Sequence, residues 1–464
     1  MKRIVLFVCL LSSSLLAYDS VEEALDQGAE HPIAQSSAYE KKSKDTFVVS
    51  GHYRGRFDIY DGVNKVAYGD ESIDAKGNVR GESDDTIYLQ QIIAGFTYTP
   101  NADWQIKAYM YDSRSLGSSL DADDFTKNAG TSDEYRMSYY DDHFELFETY
   151  IRRYNFFTKA LTFTLGRQQL GYGDRRIFGP GKWGNTMGWL WDAGHLSYKN
   201  EKDFIDLWYG QTRVKEPDDF SIVNKHRYQG VGLYSHFEFT SFKIEPFAAW
   251  RNNLHYDEKS ELNYYYGGFR AYDWSAGFIY DSTFVKQGGK FGDSDVDAYA
   301  YVIKAGYQSS SRYKPMFTLG YVYASGDKDS NDNKAETFSA PFGANDGLHY
   351  GRMDIMVWEN MSDMQAKFVL SPLENMKVQF EYHHFNLAQA NDKWYFFGYK
   401  NLPGNSYTEI GDEYNLIVKY NVLKDLDLLA IGTYLNAGDF IKKNDIAQNN
   451  ASKIFLQFMY KFKI

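Results

Sequence analysis

Residues 47–59, FVVSGHYRGRFDI, alternate without a break. Phe47, Val49, Gly51, Tyr53, Gly55, Phe57 and Ile59 fall on one face of an extended strand, and Ser50, His52, Arg54, Arg56 and Asp58 on the other. The C-terminal KIFLQFMYKFKI repeats the pattern, with Ile454, Leu456, Phe458, Tyr460, Phe462 and Ile464 opposite Lys453, Gln457, Lys461 and Lys463. The same period recurs in 104–112, 242–251, 376–383 and 412–420. One such strand suits a soluble sandwich. Many of them, with no apolar helices to cover the greasy face, leave a bilayer as the place to bury it. Only a closed barrel lets strands satisfy all their backbone hydrogen bonds in lipid, and a chain that ends on its own alternating strand is how such barrels close. The fold class expected is all-β, a transmembrane antiparallel β-barrel.

Composition agrees. Forty Tyr, 33 Phe and 9 Trp make up 18% of the chain. The N-terminal MKRIVLFVCLLSSSLLAYDS has Lys2 and Arg3 ahead of an apolar run and small residues up to Ala17, the order of a secretory signal peptide. That run is shorter than the roughly 20 residues of a membrane-spanning helix. Residues 1–17 are therefore expected to be a leader, 18–45 a polar periplasmic segment with a short helix in SVEEALDQG, and 46–464 the barrel, placed in a bacterial outer membrane. Cys9, the only cysteine, lies in the leader. Disulfides, thiolate metal sites and cysteine nucleophiles are thereby excluded from the mature chain. A formal charge of -12 argues against nucleic acid as a partner.

The links between strands alternate in length, as in outer-membrane barrels with short periplasmic turns and long extracellular loops. TPNAD (99–103), KNEKD (199–203), SSSRYK (309–314), SPLEN (371–375) and NVLKD (421–425) read as turns. Long polar links lie near 61–85, 113–142, 169–187, 326–361, 389–410 and 437–450. Keeping SGDKDSNDNKAE on the long-loop side requires 262–286 to split near Asp273, into NYYYGGFRAY and AGFIYDSTFVK. The total then becomes about eighteen strands.

One stretch stands out from this pattern: GRQQLGYGDRRIFGPGKWGNTM at 166–187, basic and glycine-rich in an acidic chain. A Walker loop needs a glycine five positions before its Gly-Lys and a Ser or Thr after it. Here Arg176 and Trp183 occupy those places, which removes the phosphate-loop reading. What remains is a strand end and an extracellular loop leaning over a pore entrance. Gly166-Arg167-Gln168, Tyr172-Gly173-Asp174 with Arg176, Trp183 with Asn185, and Trp191-Asp192 resemble, in order, the pattern of the alginate-export type of outer-membrane porin. Gln287-Gly288, Ser325-Gly326-Asp327, Gly351 with Asp354 and Asn360, YHHFNLA at 382–388, Lys393-Trp394-Tyr395 and Gly411-Asp412-Glu413 continue it. The resemblance covers about 145–464. It implies an eighteen-stranded barrel with a basic lumen that passes anionic polysaccharide. Thr283 and Asn415 stand where family members often carry acids, so the solute is not carried over with the fold.

Alternation places Arg54, Arg56, Lys107, Arg251, Lys377 and Lys419 on the inward face, with Asp58, Glu245, Glu381, Glu413 and Asp427. Rings of such side chains set ion preference. Leu161, Phe163 and Leu165 look lipid-facing, and strict alternation would send Arg167 outward too; a bulge or strand end at Gly166 is expected to turn it inward. The family pattern puts Glu148 inward with Arg152. The expected ion pathway comprises Arg54, Arg56, Lys107, Glu148, Arg152, Arg167, Asp174, Arg175, Arg176, Arg251, Lys377 and Glu413, with Arg167 foremost among the loop cations. Asp141-Asp142-His143 reads as a solvated acidic cluster, and His383 and His384 point to opposite faces of a strand. No catalytic residues, metal or cofactor are implied. The expected function is a porin giving passive diffusion of small hydrophilic, anionic solutes or an anionic saccharide. Its other partners are outer-membrane lipid and the barrel-assembly machinery, reached through the C-terminal strand. Two alternatives are a porin selective for small carboxylates or amino acids, and an adhesin or structural barrel with a plugged lumen.

Overall fold

The computed structural model describes residues 45–128, 134–136, 138–179, 182–214, 226–254, 261–343 and 346–464. The expected leader and the expected periplasmic segment up to residue 44 lie outside them, as do the side chains of 126–128, 134–136 and 182–183. Among the described residues, eighteen strands form the wall. In chain order they are Thr46–Asp61 (β1), Thr86–Asn101 (β2), Trp104–Leu116 (β3), Asp142–Arg153 (β4), Leu161–Gln168 (β5), Trp191–Lys199 (β6), Phe204–Arg213 (β7), His226–Glu238 (β8), Lys243–Asn253 (β9), Leu262–Ser275 (β10), Phe278–Phe291 (β11), Ser294–Gln308 (β12), Met316–Ala324 (β13), Met361–Leu373 (β14), Met376–Leu387 (β15), Glu409–Leu423 (β16), Leu426–Ala437 (β17) and Ala451–Lys463 (β18). Each pairs antiparallel with its sequence neighbours. The ring closes where β1 meets β18, from Ser50 opposite Lys463 to Asp61 opposite Ser452. Two more backbone bonds between Val49 and Ile464, 3.0 and 2.8 Å, seal the seam.

The expected strand count and fold class therefore stand. The β10–β11 hairpin turns at Ala276-Gly277, a few residues beyond the expected split, because these two residues take positive φ of 51° and 86°. That is the backbone a two-residue hairpin needs to match strand twist. One link departs from the length alternation. β11 and β12 meet on the long-loop side through residues 292–293 alone. Loop 7 (325–360) lies beside them, with Lys334–Ala335 pairing parallel to the start of β12.

Outward rows carry exposed Phe57, Ile59, Leu165, Phe269, Phe284, Leu319, Phe380, Leu416 and Leu456. Near the turns this belt becomes aromatic, with Phe239, Phe242, Phe278, Tyr307 and Tyr313 exposed, as at a membrane interface. Inward rows are polar and buried, because loops fold into the barrel and cover them. The apolar core is therefore inside the ring, where loop residues such as Phe178, Phe342, Met353 and Trp394 pack on inward wall aromatics.

Leu416 tests the sidedness. Leu416→Arg should lower the unfolding free energy in lipid vesicles by about 2–4 kcal/mol if its row faces lipid near mid-bilayer. A change below about 1 kcal/mol in a denaturant titration would place that row elsewhere.

Candidate functional site

Loop 3 (169–190) crosses the lumen. It leaves β5 beyond Gly166, whose φ is +129°. The ladder runs through this glycine without a register shift, pairing Arg167 with Thr149 on one side and Asp192 on the other. So the expected bulge is not formed. Arg167 keeps the parity of Leu165 and is neutralised one residue before the strand ends. Its Nε and Nη2 donate to the two Asp192 oxygens at 2.8 and 2.9 Å, and the residue is only 6% exposed. A bidentate carboxylate lowers the cost of a guanidinium at that depth without turning it into the pore.

Beyond it, Tyr172 stacks on Trp208 and Tyr234 at 5.1 and 4.7 Å. Phe178 meets the rings of Tyr172, Trp208, Tyr234 and Phe247 edge-on, the geometry that puts a ring's positive edge on its neighbour's face. The tip of loop 3 reaches the inner wall of β1 to β3. Asn185 is fully buried there, its amide nitrogen against the carbonyl oxygens of Gln90, Tyr140 and Arg114 at 2.8, 2.9 and 3.2 Å. Arg54 donates to both Asn185 oxygens at 3.0 and 2.8 Å, and Arg56 to Gly184 O at 3.0 Å.

Loop 7 enters from the other side. Arg251 donates to the carbonyls of Ala340 and Pro341, both at 2.8 Å, while Gln287 accepts from Ser339 N at 2.9 Å. The two loops then join by backbone bonds, Gly179 N to Phe342 O at 2.9 Å and Phe342 N to Ile177 O at 3.1 Å. Trp189 Nε1 adds a bond to Gly343 O at 2.8 Å. Farther along, loop 7 lies on three successive strands. Gln365 of β14 donates to His349 O at 2.8 Å, Arg352 is bidentate on Glu381 of β15 at 2.8 and 3.0 Å, and Glu413 of β16 accepts from Met353 N at 3.2 Å. Burial pushes the Asp174 carboxyl up, but Arg176, 2.6 Å away, and Arg270 outweigh it and hold the group below the usual carboxylate range.

A closed ring with an apolar outer belt and loops locked across its lumen is a channel-type architecture. A family model described as alginate export matches residues 68–455, most of the chain. The chain belongs to the alginate export family. Solved barrels share its shape at low sequence identity. Pseudomonas aeruginosa OccD3 (OpdP) has a TM-score of 0.59 and 10% identity over 96% of this chain and 99% of that one. The Pseudomonas aeruginosa outer membrane protein OprD has 0.56 and 12% over 92% and 96%. Acinetobacter baumannii OccAB1 has 0.57 and 11% over 91% and 99%. No curated protein sequence matches the chain. This alginate-export-family protein is thus an outer-membrane β-barrel of channel type.

Within it, the expected pathway residues separate into groups. Arg54, Arg56 and Arg251 are inward and buried, but their guanidinium groups anchor loops 3 and 7. Lys107 and Glu148 form an ion pair beside Arg152, which donates to Thr164 Oγ1 at 2.9 Å. Asp174 and Arg176 sit in the loop 3 turn, with half-buried Arg175 between them at a φ of 68°. Lys377 lies low on the wall directly opposite Lys419, and Glu413 is under loop 7. They do not form one ring. The acidic cluster expected to be solvated is not so throughout, because Asp142 is buried and takes Arg213 Nη2 at 2.7 Å. His383 faces the lumen beside Asp363, and His384 the other side beside Asp412, as alternation requires.

Sequence reasoning missed Lys304, Lys367, Arg270, His349 and Arg352. The first three sit on inward rows that parity alone identifies. The last two lie in a loop whose path no local pattern gives. Asn185→Leu should cost about 2–3 kcal/mol, since it leaves buried Arg54 short of a partner, and should make the loop 3 tip cleavable by added protease. An unchanged unfolding midpoint would remove Asn185 from the framework.

Proposed function

We propose that this barrel gives passive diffusion to small hydrophilic anions. The observation that carries the reading is an arc of lysines on the inward rows of β12 to β16. Within this arc Lys377 and Lys419 are half-buried toward the turn side, whereas Lys304 and Lys367 are buried and Lys367 shares the Glu381 carboxylate with Arg352. Asp363 and Glu413 of the same arc lie nearer the loops. Lysine ammonium groups along a low-dielectric wall raise the local anion concentration and favour anion passage. The arginines in loop contacts act differently, because their charge is spent on holding loops 3 and 7 across the lumen and narrowing it. Lys377 and Lys419, directly opposite one another on one face, would repel in an ordinary sheet. Beside a water-filled path their paired charge suits an anion passing between them.

Planar-bilayer recording tests the reading. Purified protein should give open current with a reversal potential favouring chloride over potassium. Lys377→Glu with Lys419→Glu should lower that preference several-fold, and Lys202→Glu, on an exposed turn, should leave it unchanged. Silence at high protein load would support a plugged structural barrel or adhesin instead.

A further inference from the structure

The outer face of β15 to β17 carries a polar cluster that neither the lumen nor the loop contacts account for. Tyr382, Tyr414 and Tyr434 stand directly opposite one another in the ladder, on outward rows. Tyr414 and Tyr434 are exposed, and exposed Phe380 and Leu416 form the apolar row nearer mid-bilayer. These tyrosines are therefore the aromatic rim on the loop side, at the depth of lipid headgroups. His384 and Asp412 face each other one outward row farther toward the loops, with side chains 24% and 22% exposed.

Strict alternation from Asp412 would keep Glu409 inside and turn Ile410 out. The structure does the reverse. The ladder pairs Phe385 with Gly411 and then Asn386 with Glu409, which leaves Ile410 as an extra residue. Gly411 takes a φ of +145° at this bulge, and a Cβ there would stand 2.2 Å from Asn436 O. Ile410 is fully buried, and half-buried Glu409 comes round to the side of His384 and Asp412. Re-aiming a side chain in this way is what a bulge at a strand end does. Period two along the sequence hides the change, so the residues alone implied no metal.

His384, Glu409 and Asp412 then offer ligand atoms that all lie within 4.8 Å of one another, the one such group of three among the described residues. His384 Nδ1 is 2.8 Å from Asp412 Oδ1, and Tyr382 donates its hydroxyl to the same oxygen at 2.7 Å. Both contacts use Oδ1, so Oδ2 is left to serve a further partner. Among the described residues the Glu409 carboxylate has no ion pair or side-chain hydrogen bond. Two carboxylates this close repel, the more so at the edge of a low-dielectric layer. A divalent cation held by both and by the imidazole removes that repulsion. One nitrogen and two carboxylate oxygens form a donor set for zinc and its neighbours, with water or a lipid phosphate as a further ligand. Calcium and magnesium take oxygen ligands instead. The Tyr382 hydroxyl on Asp412 is the kind of outer contact that orients a metal-binding carboxylate.

We propose that His384, Glu409 and Asp412 bind a divalent transition-metal ion of the zinc class at the outer rim, clamping the loop ends of β15 and β16 together. The site does not depend on the anion reading above. Tag-free protein purified in detergent from outer membranes is titrated with zinc alone by calorimetry, and with cobalt by visible absorption. The native chain should bind zinc, and calcium in about tenfold excess should not displace it. His384→Gln and Glu409→Gln should each weaken binding about tenfold or more, and the cobalt band should fall with them. His143→Gln, in the Asp141-Asp142-His143 cluster, should leave the affinity within about twofold. Because the Glu409 carboxylate has no partner in the fold, Glu409→Gln should unfold at the native midpoint without metal, which separates lost binding from misfolding. Zinc should raise the midpoint of the native chain and leave that of Glu409→Gln in place. A native chain that binds no zinc, binding that is unchanged in His384→Gln or Glu409→Gln, or displacement by calcium overturns the site.

Discussion

Backbone amides in hydrocarbon have no water to bind, and every other feature of this molecule follows from that. The chain satisfies its N–H and C=O groups between neighbouring strands, and the last edge is removed where β1 joins β18. Once the ring is closed, alternation has only two destinations. Leu165, Phe380, Leu416 and Leu456 must meet lipid, and Arg54, Asp58, Glu381 and Glu413 must turn inward. The abundance of tyrosine and phenylalanine in so polar a chain serves two places, the outward belt with its aromatic rim and the core inside the ring where loops pack on the wall.

A second constraint arises inside. Buried guanidinium groups need several acceptors each, and a strand's own carbonyls are already used in the ladder. Arg54, Arg56 and Arg251 find theirs on loop backbones, at Asn185, Gly184, Ala340 and Pro341. Inward arginine therefore brings loops 3 and 7 into the barrel, where Phe178 and Phe342 join them. Half-buried Lys377 and Lys419 differ in kind. An ammonium on a flexible stem is suited to a solvated path more than to a fixed fork of acceptors. Arginine as framework and lysine as field is the division of labour that the channel reading uses.

Much of this was legible in the residues. Period two assigned Arg54, Arg56, Glu245, Glu381 and Glu413 to the lumen, and turn chemistry at TPNAD, SPLEN and NVLKD located hairpins. The count of eighteen followed from keeping long links on one side. Arg167 shows where parity was doubted needlessly. A charge on an outward row was expected to be turned inward by a bulge, whereas Asp192 neutralises it across one strand, a pairing that appears only when register is known. Asp142 was read as solvated for the same reason, because Arg213 lies far along the chain. His349 and Arg352 carried no local signal at all.

The sequence by itself determined that the chain is a closed barrel, which face of each strand meets lipid, and that the lumen holds charges of both signs, because alternation and hairpin chemistry act between near neighbours. Only the tertiary structure decided which charges are spent as anchors and where loops 3 and 7 cross the lumen. Those outcomes depend on contacts between residues more than a hundred positions apart, such as Arg54 with Asn185 and His349 with Asp174, and no periodicity along the chain encodes them.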